Sequence, residues 1–100
     1  MLVFEKDNNR FNCRSVAVFI NDDHVLLHKI GNNPYWSLPG GRVEFIESAQ
    51  TTVVREVEEE LKIKCEVVRP LWIMENFFNY KEKKLHEIAF YFLVTCPQEL

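Results

Sequence analysis

The chain has 100 residues, of which 47% are apolar and 13% aromatic, and its formal net charge at pH 7 is −3. This length and composition predict one domain, residues 1–100, with a hydrophobic core, although a domain of this size buries only about 60–65% of its unfolded surface. The net negative charge gives no general attraction to nucleic acid or to an anionic membrane, so we expect neither as a partner.

The chain shows no targeting or membrane signal. It has no run of 18 apolar residues, and its start, MLVFEKDNNRF, lacks a basic segment followed by an apolar one. Cys13, Cys65 and Cys96 are odd in number and far apart, which favours three reduced thiols over a structural disulfide. The histidines do not approach zinc-ligand spacing with them. We therefore expect a cytoplasmic protein.

The first part of the chain predicts a β-hairpin followed by a loop. Residues 14–20 (RSVAVFI) are β-branched and apolar and predict a buried strand. The turn cluster at residues 21–23 predicts that residues 25–30 return antiparallel to this strand. A short edge strand is expected around residues 2–5, and residues 31–34 (GNNP) form a loop by composition.

A charge-rich amphipathic helix is predicted from residue 49 to residue 61, with Ser48 as its N-cap. Glu56, Glu59 and Glu60 share one face of this helix because they are spaced three and four residues apart. Three carboxylates on one face repel each other, so the spacing favours a hard divalent cation with oxygen ligands. The alternative is a solvated acidic face.

Two more strands are predicted, at residues 67–74 and 85–95, with an exposed turn at residues 81–84. Both alternating faces of the second strand are mostly apolar, so this strand should be covered on both sides. No amphipathic helix follows Pro97 to cover the second face. We therefore expect the chain either to form a homodimer through that face or to be part of a longer protein.

The charged residues around the predicted helix have a specific spacing. The residues that define it are Gly41, Glu47, Arg55, Glu56, Val57, Glu59, Glu60 and Ile63. This spacing resembles the Nudix box of the Nudix hydrolases, of which eight of nine specified positions match. The ninth, a glycine in the family, is Lys62 here. A left-handed C-cap would cost lysine roughly 1 kcal/mol, and the alternative is that Lys62 extends the last turn.

The resemblance implies the Nudix fold, an α/β (α+β) fold in which a mixed β-sheet is sandwiched between helices. The likeness covers the chain from Arg14 onward, and the helix that usually ends the fold has no counterpart here.

The resemblance also implies a metal-dependent pyrophosphohydrolase. Such enzymes cleave a nucleoside diphosphate linked to another group, such as a nucleotide or nucleotide sugar, by attack of water on phosphorus. Mg²⁺ or Mn²⁺ would lower the pKa of that water and neutralise phosphate oxygens. The implied metal ligands are Glu56, Glu59, Glu60 and the main-chain carbonyl of Gly40, and Glu56 is also a candidate general base.

Arg55 and Glu47 are implied as an ion pair that orients the box glutamates, and the alternative is an ordinary surface pair. Non-catalytic Nudix modules that bind nucleotides typically lack one or more box carboxylates. Because this chain retains all of them, we favour an enzyme over a regulatory module.

Glu87 is the candidate outside the box, because it lies in a strand that should be buried and an unpaired carboxylate there is costly. It is either a further metal ligand or general base, as Nudix enzymes often have outside the box, or a partner of Arg14, Arg42 or Lys29. Glu44 is an alternative fourth carboxylate.

Trp36, Phe77, Phe78 and Tyr80 could stack on a nucleobase, and Arg42 is taken with them as a substrate-binding candidate. As an alternative, Phe77 and Phe78 belong to the core. These residues do not select one substrate within the family.

Overall fold

The computed structural model describes residues 1–97 of the chain. Its elements in order are β1 (Val3–Lys6), β2 (Asn9–Asn21), β3 (His24–Val25), β4 (Gly40–Arg42), α1 (Ala49–Leu61), β5 (Glu66–Tyr80) and β6 (Lys83–Thr95). This mixed α+β architecture confirms the expected fold class. The helix that these residues form is too short and too polar to cross a membrane.

The sheet is built around the parallel pair of β2 and β6, which runs in register from Asn9↔Lys84 to Phe19↔Val94. Strand β1 pairs with β2 and β5 with β6, both antiparallel, so the main order is β1-β2-β6-β5. Strands β3 and β4 also pair with β2, farther along the edge that β1 occupies and opposite β6.

The strand predicted at residues 25–30 is wrong beyond its first residue. Only His24–Val25 pairs with β2, and His28 makes an isolated bridge with Ser37. The reason is competition for one edge. Continued antiparallel pairing would need the edge of β2 near Ala17, but that amide donates to the Pro39 carbonyl and β4 occupies the next positions.

The β5–β6 hairpin is longer than expected, because β5 continues to Tyr80 and β6 begins at Lys83. The turn is therefore Lys81 and Glu82 alone, not residues 81–84. Their φ angles of 49° and 65° are those of a type I′ turn, whose twist matches that of the flanking strands.

Helix α1 covers one face of the sheet through Val53 and Val57, both fully buried. They pack on a cluster that includes Ala17 and Phe19 of β2 and Phe92 of β6. Burying a valine side chain contributes about 1.5–3 kcal/mol, so these contacts fix where the helix lies.

On the opposite face, β5 presents Trp72, Met74 and Phe78, which remain 50%, 43% and 43% exposed. They lie across from Tyr91, Ala89 and Leu85 of β6, whose side chains alternate with those facing the helix. No element within residues 1–97 packs over these three side chains as α1 does over the other face. Self-association through this face stays a prediction.

The ends of α1 follow local chemistry. Ser48 is the N-cap and its hydroxyl accepts a hydrogen bond from the Thr51 amide at 3.1 Å, as predicted. At the other end Lys62 adopts the left-handed conformation itself, with φ 59° and ψ 34°, and its amide donates to the Glu58 carbonyl. Lys62 therefore takes the position of the family glycine and bears the backbone strain.

Replacing Lys62 by glycine should stabilise the protein, because glycine adopts this conformation without the Cβ clash. We expect Lys62→Gly to raise the free energy of unfolding by about 0.5–1 kcal/mol, measured by urea denaturation. Lys64→Gly is the matched control, because Lys64 has no positive φ and the change should be neutral or destabilising. Equal stability of Lys62→Gly and wild type would contradict the strain.

Candidate active site

Two glycines of β4 let the helix carboxylates approach the sheet edge. A Cβ atom at Gly41 would overlap the carboxyl group of Glu56, and one at Gly40 would overlap the Ser15 carbonyl oxygen. Gly40 also has a φ of +154°, which side chains rarely adopt. Any larger residue at these positions would therefore displace Glu56 or the strand.

Glu60 lies against the same glycines. The Gly40 amide donates a hydrogen bond to its Oε1 at 3.2 Å, and His28 Nε2 is 3.7 Å from its Oε2. Burial raises the pKa of Glu60, and the neighbouring Glu56 charge adds to that rise. Glu60 is thus a partly desolvated carboxylate with incomplete compensation, which favours a cation beside it.

Arg55 forms the expected ion pair with Glu47 and also contacts two other box carboxylates. Its Nε and Nη2 atoms donate to both oxygens of Glu47 at 2.8 and 2.9 Å. Its Nη1 atom donates to Glu56 at 2.9 Å and lies 3.3 Å from Glu59. The bidentate geometry makes this more than an ordinary surface pair.

The Glu47 carboxylate is held strongly in its charged form. Hydrogen bonds from Arg55 and then from the Thr52 hydroxyl, at 2.7 Å, lower the pKa of Glu47 to about 2. Glu47 also accepts a hydrogen bond from the Glu44 amide. The bonds of Glu47 to Thr52 and Arg55 connect the chain before the helix to the first turns of the helix. The ion pair thus anchors Arg55 beside the glutamates.

The three box glutamates do not form a ready metal cage. Among residues 1–97, no three or more His, Cys, Asp or Glu side chains are grouped in a way that could hold a metal ion. Glu59 is 59% exposed and directed to Arg55, which is the nearest cation. Glu56 and Glu60 do meet at the β4 glycines, and their hard oxygen donors suit a divalent cation in kind.

Glu87 is buried as expected, but its partners are not the predicted cations. It accepts hydrogen bonds from the Asn12 amide at 2.7 Å and from the Asn76 amide at 3.3 Å. These residues lie directly opposite Glu87 in β2 and β5. The expectation of Arg14, Arg42 or Lys29 as its partner is therefore wrong. A role of Glu87 as metal ligand or general base stays a prediction.

The substrate-binding candidates do not lie together. Arg42 follows the box glycines on β4, and Trp36 is 62% exposed with the Lys29 ammonium 5.0 Å from its ring centroid. Phe78 and Tyr80 lie at the turn end of β5, where Phe78 lines an open cavity of about 510 Å³. That end of the hairpin pairs with the start of β2, several residues from β4.

The geometry decides the alternative for Phe77 and Phe78, whereas a role of Glu44 as a fourth carboxylate stays a prediction. Phe77 and Phe78 are 69% and 43% exposed, so the interpretation of both as core residues is wrong. The ring of Phe77 packs on His86, with centroids 4.5 Å apart, on the part of the sheet beyond α1. Glu44 pairs with the N-terminal ammonium at 2.7 Å.

Two residues near the carboxylates, His28 and Arg14, had not been assigned to the site from the sequence. His28 reaches Glu60 because its strand bridge to Ser37 closes the intervening loop. Arg14 has a buried Nε atom without a hydrogen-bond partner among the described residues, and its charge favours the ionised form of Glu60. No local pattern marks either residue, since both contacts depend on chain segments far apart in sequence.

The pKa of Glu47 predicts how stability depends on acid. Because folding lowers this pKa, the carboxylate contributes stability that is present above about pH 4.5 and lost as the pH falls towards 2. Wild type should exceed Glu47→Gln in unfolding free energy at pH 6, and the gap should shrink on acidification. Urea denaturation at a series of pH values measures it. Glu58→Gln, an exposed residue of the same helix, is the control; a constant gap for Glu47→Gln would contradict the assignment.

Comparison with known proteins places this geometry in a family. The profile of the NUDIX domain matches residues 12–100. Over 45 residues the chain is 47% identical to a Bacillus subtilis protein named "Putative 8-oxo-dGTP diphosphatase". That match covers 45% of this chain and 30% of the relative, so the chain spans well under half of that protein's length.

Solved structures agree in fold. A MutT NUDIX hydrolase from Burkholderia pseudomallei superposes with a TM-score of 0.73 at 27% identity, covering 86% of this chain and 67% of that one. A UDP-X diphosphatase superposes with a TM-score of 0.69 at 25% identity, covering 89% and 45% of the two chains. Together with the profile match over most of the sequence, these similarities show that the chain belongs to the NUDIX domain family.

Proposed function

We propose that the chain hydrolyses the pyrophosphate bond of a nucleoside diphosphate derivative, of the nucleotide or nucleotide-sugar class, with Mg²⁺ or Mn²⁺ as cofactor. The observation that carries this proposal is the meeting of Glu56 and Glu60 at the glycines of β4, beside an arginine anchored by Glu47. The names of two similar proteins, which refer to 8-oxo-dGTP and to UDP-X, support a nucleotide substrate.

In this proposal Glu56, Glu59 and Glu60 hold the cation together with the main-chain carbonyl of Gly40. A bound ion would lower the pKa of the attacking water and would neutralise negative charge on the phosphate oxygens. Glu56 is the candidate base that accepts the proton of the attacking water. Its contact with Gly41 and its hydrogen bond from Arg55 restrict the carboxylate to the sheet edge.

Arg55 has a positioning role in this scheme. Its bidentate bond to Glu47 fixes the guanidinium, and the third nitrogen then reaches Glu56 and Glu59. Without a metal the same guanidinium offsets the repulsion among these carboxylates. Glu59 would be the ligand that has to exchange its contact with Arg55 for the cation, and its side chain is 59% exposed.

A nucleotide-binding module without catalysis is the second candidate. Such a module would use the carboxylates only to bind the nucleotide and its cation, and Glu56 would then have no role as a base. The retention of all five charged box residues favours hydrolysis: Arg55 contacts Glu47, Glu56 and Glu59, and Glu60 lies beside them at Gly40. Turnover therefore separates the two candidates.

Hydrolysis should depend on Glu56 much more than the fold does. With a panel of nucleoside diphosphate derivatives and Mg²⁺ or Mn²⁺, we expect Glu56→Gln to lower kcat by at least about a hundredfold, measured by chromatographic separation of the nucleoside monophosphate product. Its Tm should change little, because the glutamine oxygen can still accept from Arg55.

Glu58→Gln is the matched control for this experiment. It removes the same charge from the same helix, but the Glu58 side chain is exposed, and Glu58 is bonded to Lys62 through its main-chain carbonyl alone. It should retain near wild-type kcat. If Glu56→Gln turned over the best substrate as fast as Glu58→Gln does, Glu56 would not be catalytic. If wild type bound a nucleotide without turnover, the binding module would be the better account.

A further inference from the structure

Cys65 and Cys96 flank the last residue pair of the β5–β6 ladder. Strand β5 begins at Glu66 and strand β6 ends at Thr95, and these two residues are antiparallel partners. Cys65 immediately precedes the first and Cys96 immediately follows the second. In an antiparallel ladder, the positions that follow a pair on either side are again opposite each other. The two cysteines are therefore cross-strand neighbours, although they are 31 positions apart in sequence.

Both side chains point to the same side of the sheet. Val67 and Val94 form the next pair inward and pack in the core beneath α1. Since side chains alternate along a strand, Cys65 and Cys96 lie on that same core side. Cys65 is 6% exposed and belongs to the core cluster, and the half-buried Cys96 packs against it.

The electrostatics of Cys65 also indicate that the thiols are close. Burial is the main cause that raises the pKa of Cys65, and the Cys96 sulfur is the next. Directly opposed residues have Cα atoms about 4.5–5.5 Å apart. A disulfide requires about 4.4–6.8 Å, so the backbone need not move far to permit a bond.

Cys13 is not part of this arrangement. It lies on β2 opposite Ile88, which is in the middle of β6 and seven positions before Thr95. The pKa of Cys13 is raised by burial and then by the nearby Glu87 charge, and neither of the other cysteines contributes. The chain therefore contains an internal reference thiol of similar chemistry.

We propose that Cys65 and Cys96 are a redox-sensitive thiol pair that closes reversibly to a cross-strand disulfide, with a small-molecule disulfide of the glutathione class as oxidant. Among residues 1–97 none of the three cysteines forms a disulfide, as expected from the sequence, and this reduced state is the starting point of the proposal.

The reaction balances as two thiol–disulfide exchanges. The Cys96 thiolate, which is the more exposed, attacks one sulfur of the small disulfide, forming a mixed disulfide and releasing one small thiol. The Cys65 thiol then loses its proton and its sulfur attacks the sulfur of Cys96, releasing the second small thiol. The protein loses two protons and two electrons, and the oxidant is reduced to two thiols.

The bond would link two parts of the fold. Cys65 lies just beyond the exit of α1, and Cys96 lies at the end of the strand that carries Phe92 and Val94 of the core. The bridge would close the β5–β6 hairpin into a covalent loop and reduce the freedom of the unfolded chain. We expect the oxidised form to be the more stable one.

The experiment equilibrates the folded chain with mixtures of reduced and oxidised glutathione, alkylates the remaining thiols and maps the peptides by mass spectrometry. Wild type and Cys13→Ser should both form a bridge between residues 65 and 96, while Cys13 of wild type remains alkylated. Cys65→Ala and Cys96→Ala should each form no intramolecular bridge. Oxidation should raise the Tm of wild type by about 5 °C or more, and dithiothreitol should reverse that rise.

Three results would overturn the proposal. One is that only glutathione adducts form on separate cysteines at the most oxidising mixture. Another is that a bridge forms but includes Cys13 or joins two chains. The third is that the bridge between Cys65 and Cys96 forms but leaves the Tm unchanged or lowers it. The disulfide would then be strained in the folded protein, and its reduction would be favoured.

Discussion

The close approach of helix α1 to the glycines of β4 is the constraint on which the candidate site depends. Val53 and Val57 fix the height of the helix over the sheet, and its next face then meets β4. Because Gly40 and Gly41 carry no Cβ atoms, Glu56 and Glu60 can lie directly against the backbone of that strand. Core packing and site geometry are therefore set by the same helix.

Charge balance is the second requirement, since repulsion among adjacent carboxylates opposes this packing. Arg55 meets it from within the helix, and Glu47 holds Arg55 from the chain before the helix. Glu60 makes no ion pair with that guanidinium; its partners among residues 1–97 are the Gly40 amide, His28 at 3.7 Å and the charge of Arg14. The negative charge of Glu60, next to the β4 glycines, is therefore the least compensated in the site, and a cation bound there would offset it.

The features that could be predicted from the sequence are those whose determinants lie within one short segment of the chain. Helix α1 runs over the predicted residues because the N-cap and the apolar period lie within the segment itself. The β-hairpin partner at residues 25–30 failed because a distant segment takes the same strand edge. The amide partners of Glu87 could not be predicted either, since they follow from the register of three strands.

The spacing of the box carries information of a different kind. It implied the family and the ion pair of Arg55 with Glu47 before any contact was known. It did not imply that Arg55 would also contact Glu59, because side-chain direction depends on which cations are nearby. Nor did it imply that Cys65 and Cys96 flank the same strand pair, Glu66↔Thr95, which follows from the strand register.

The central claim is that a divalent cation binds where Glu56 and Glu60 meet the β4 glycines, and paramagnetic broadening by Mn²⁺ in amide NMR spectra tests it most directly. The account predicts that the amide signals of Gly40 and Gly41 broaden first, that those of the Lys81–Glu82 turn stay sharp, and that Glu60→Gln weakens the effect. Broadening centred on another acidic segment, such as Asp22–Asp23, or equal broadening in the Glu60→Gln variant, would contradict it.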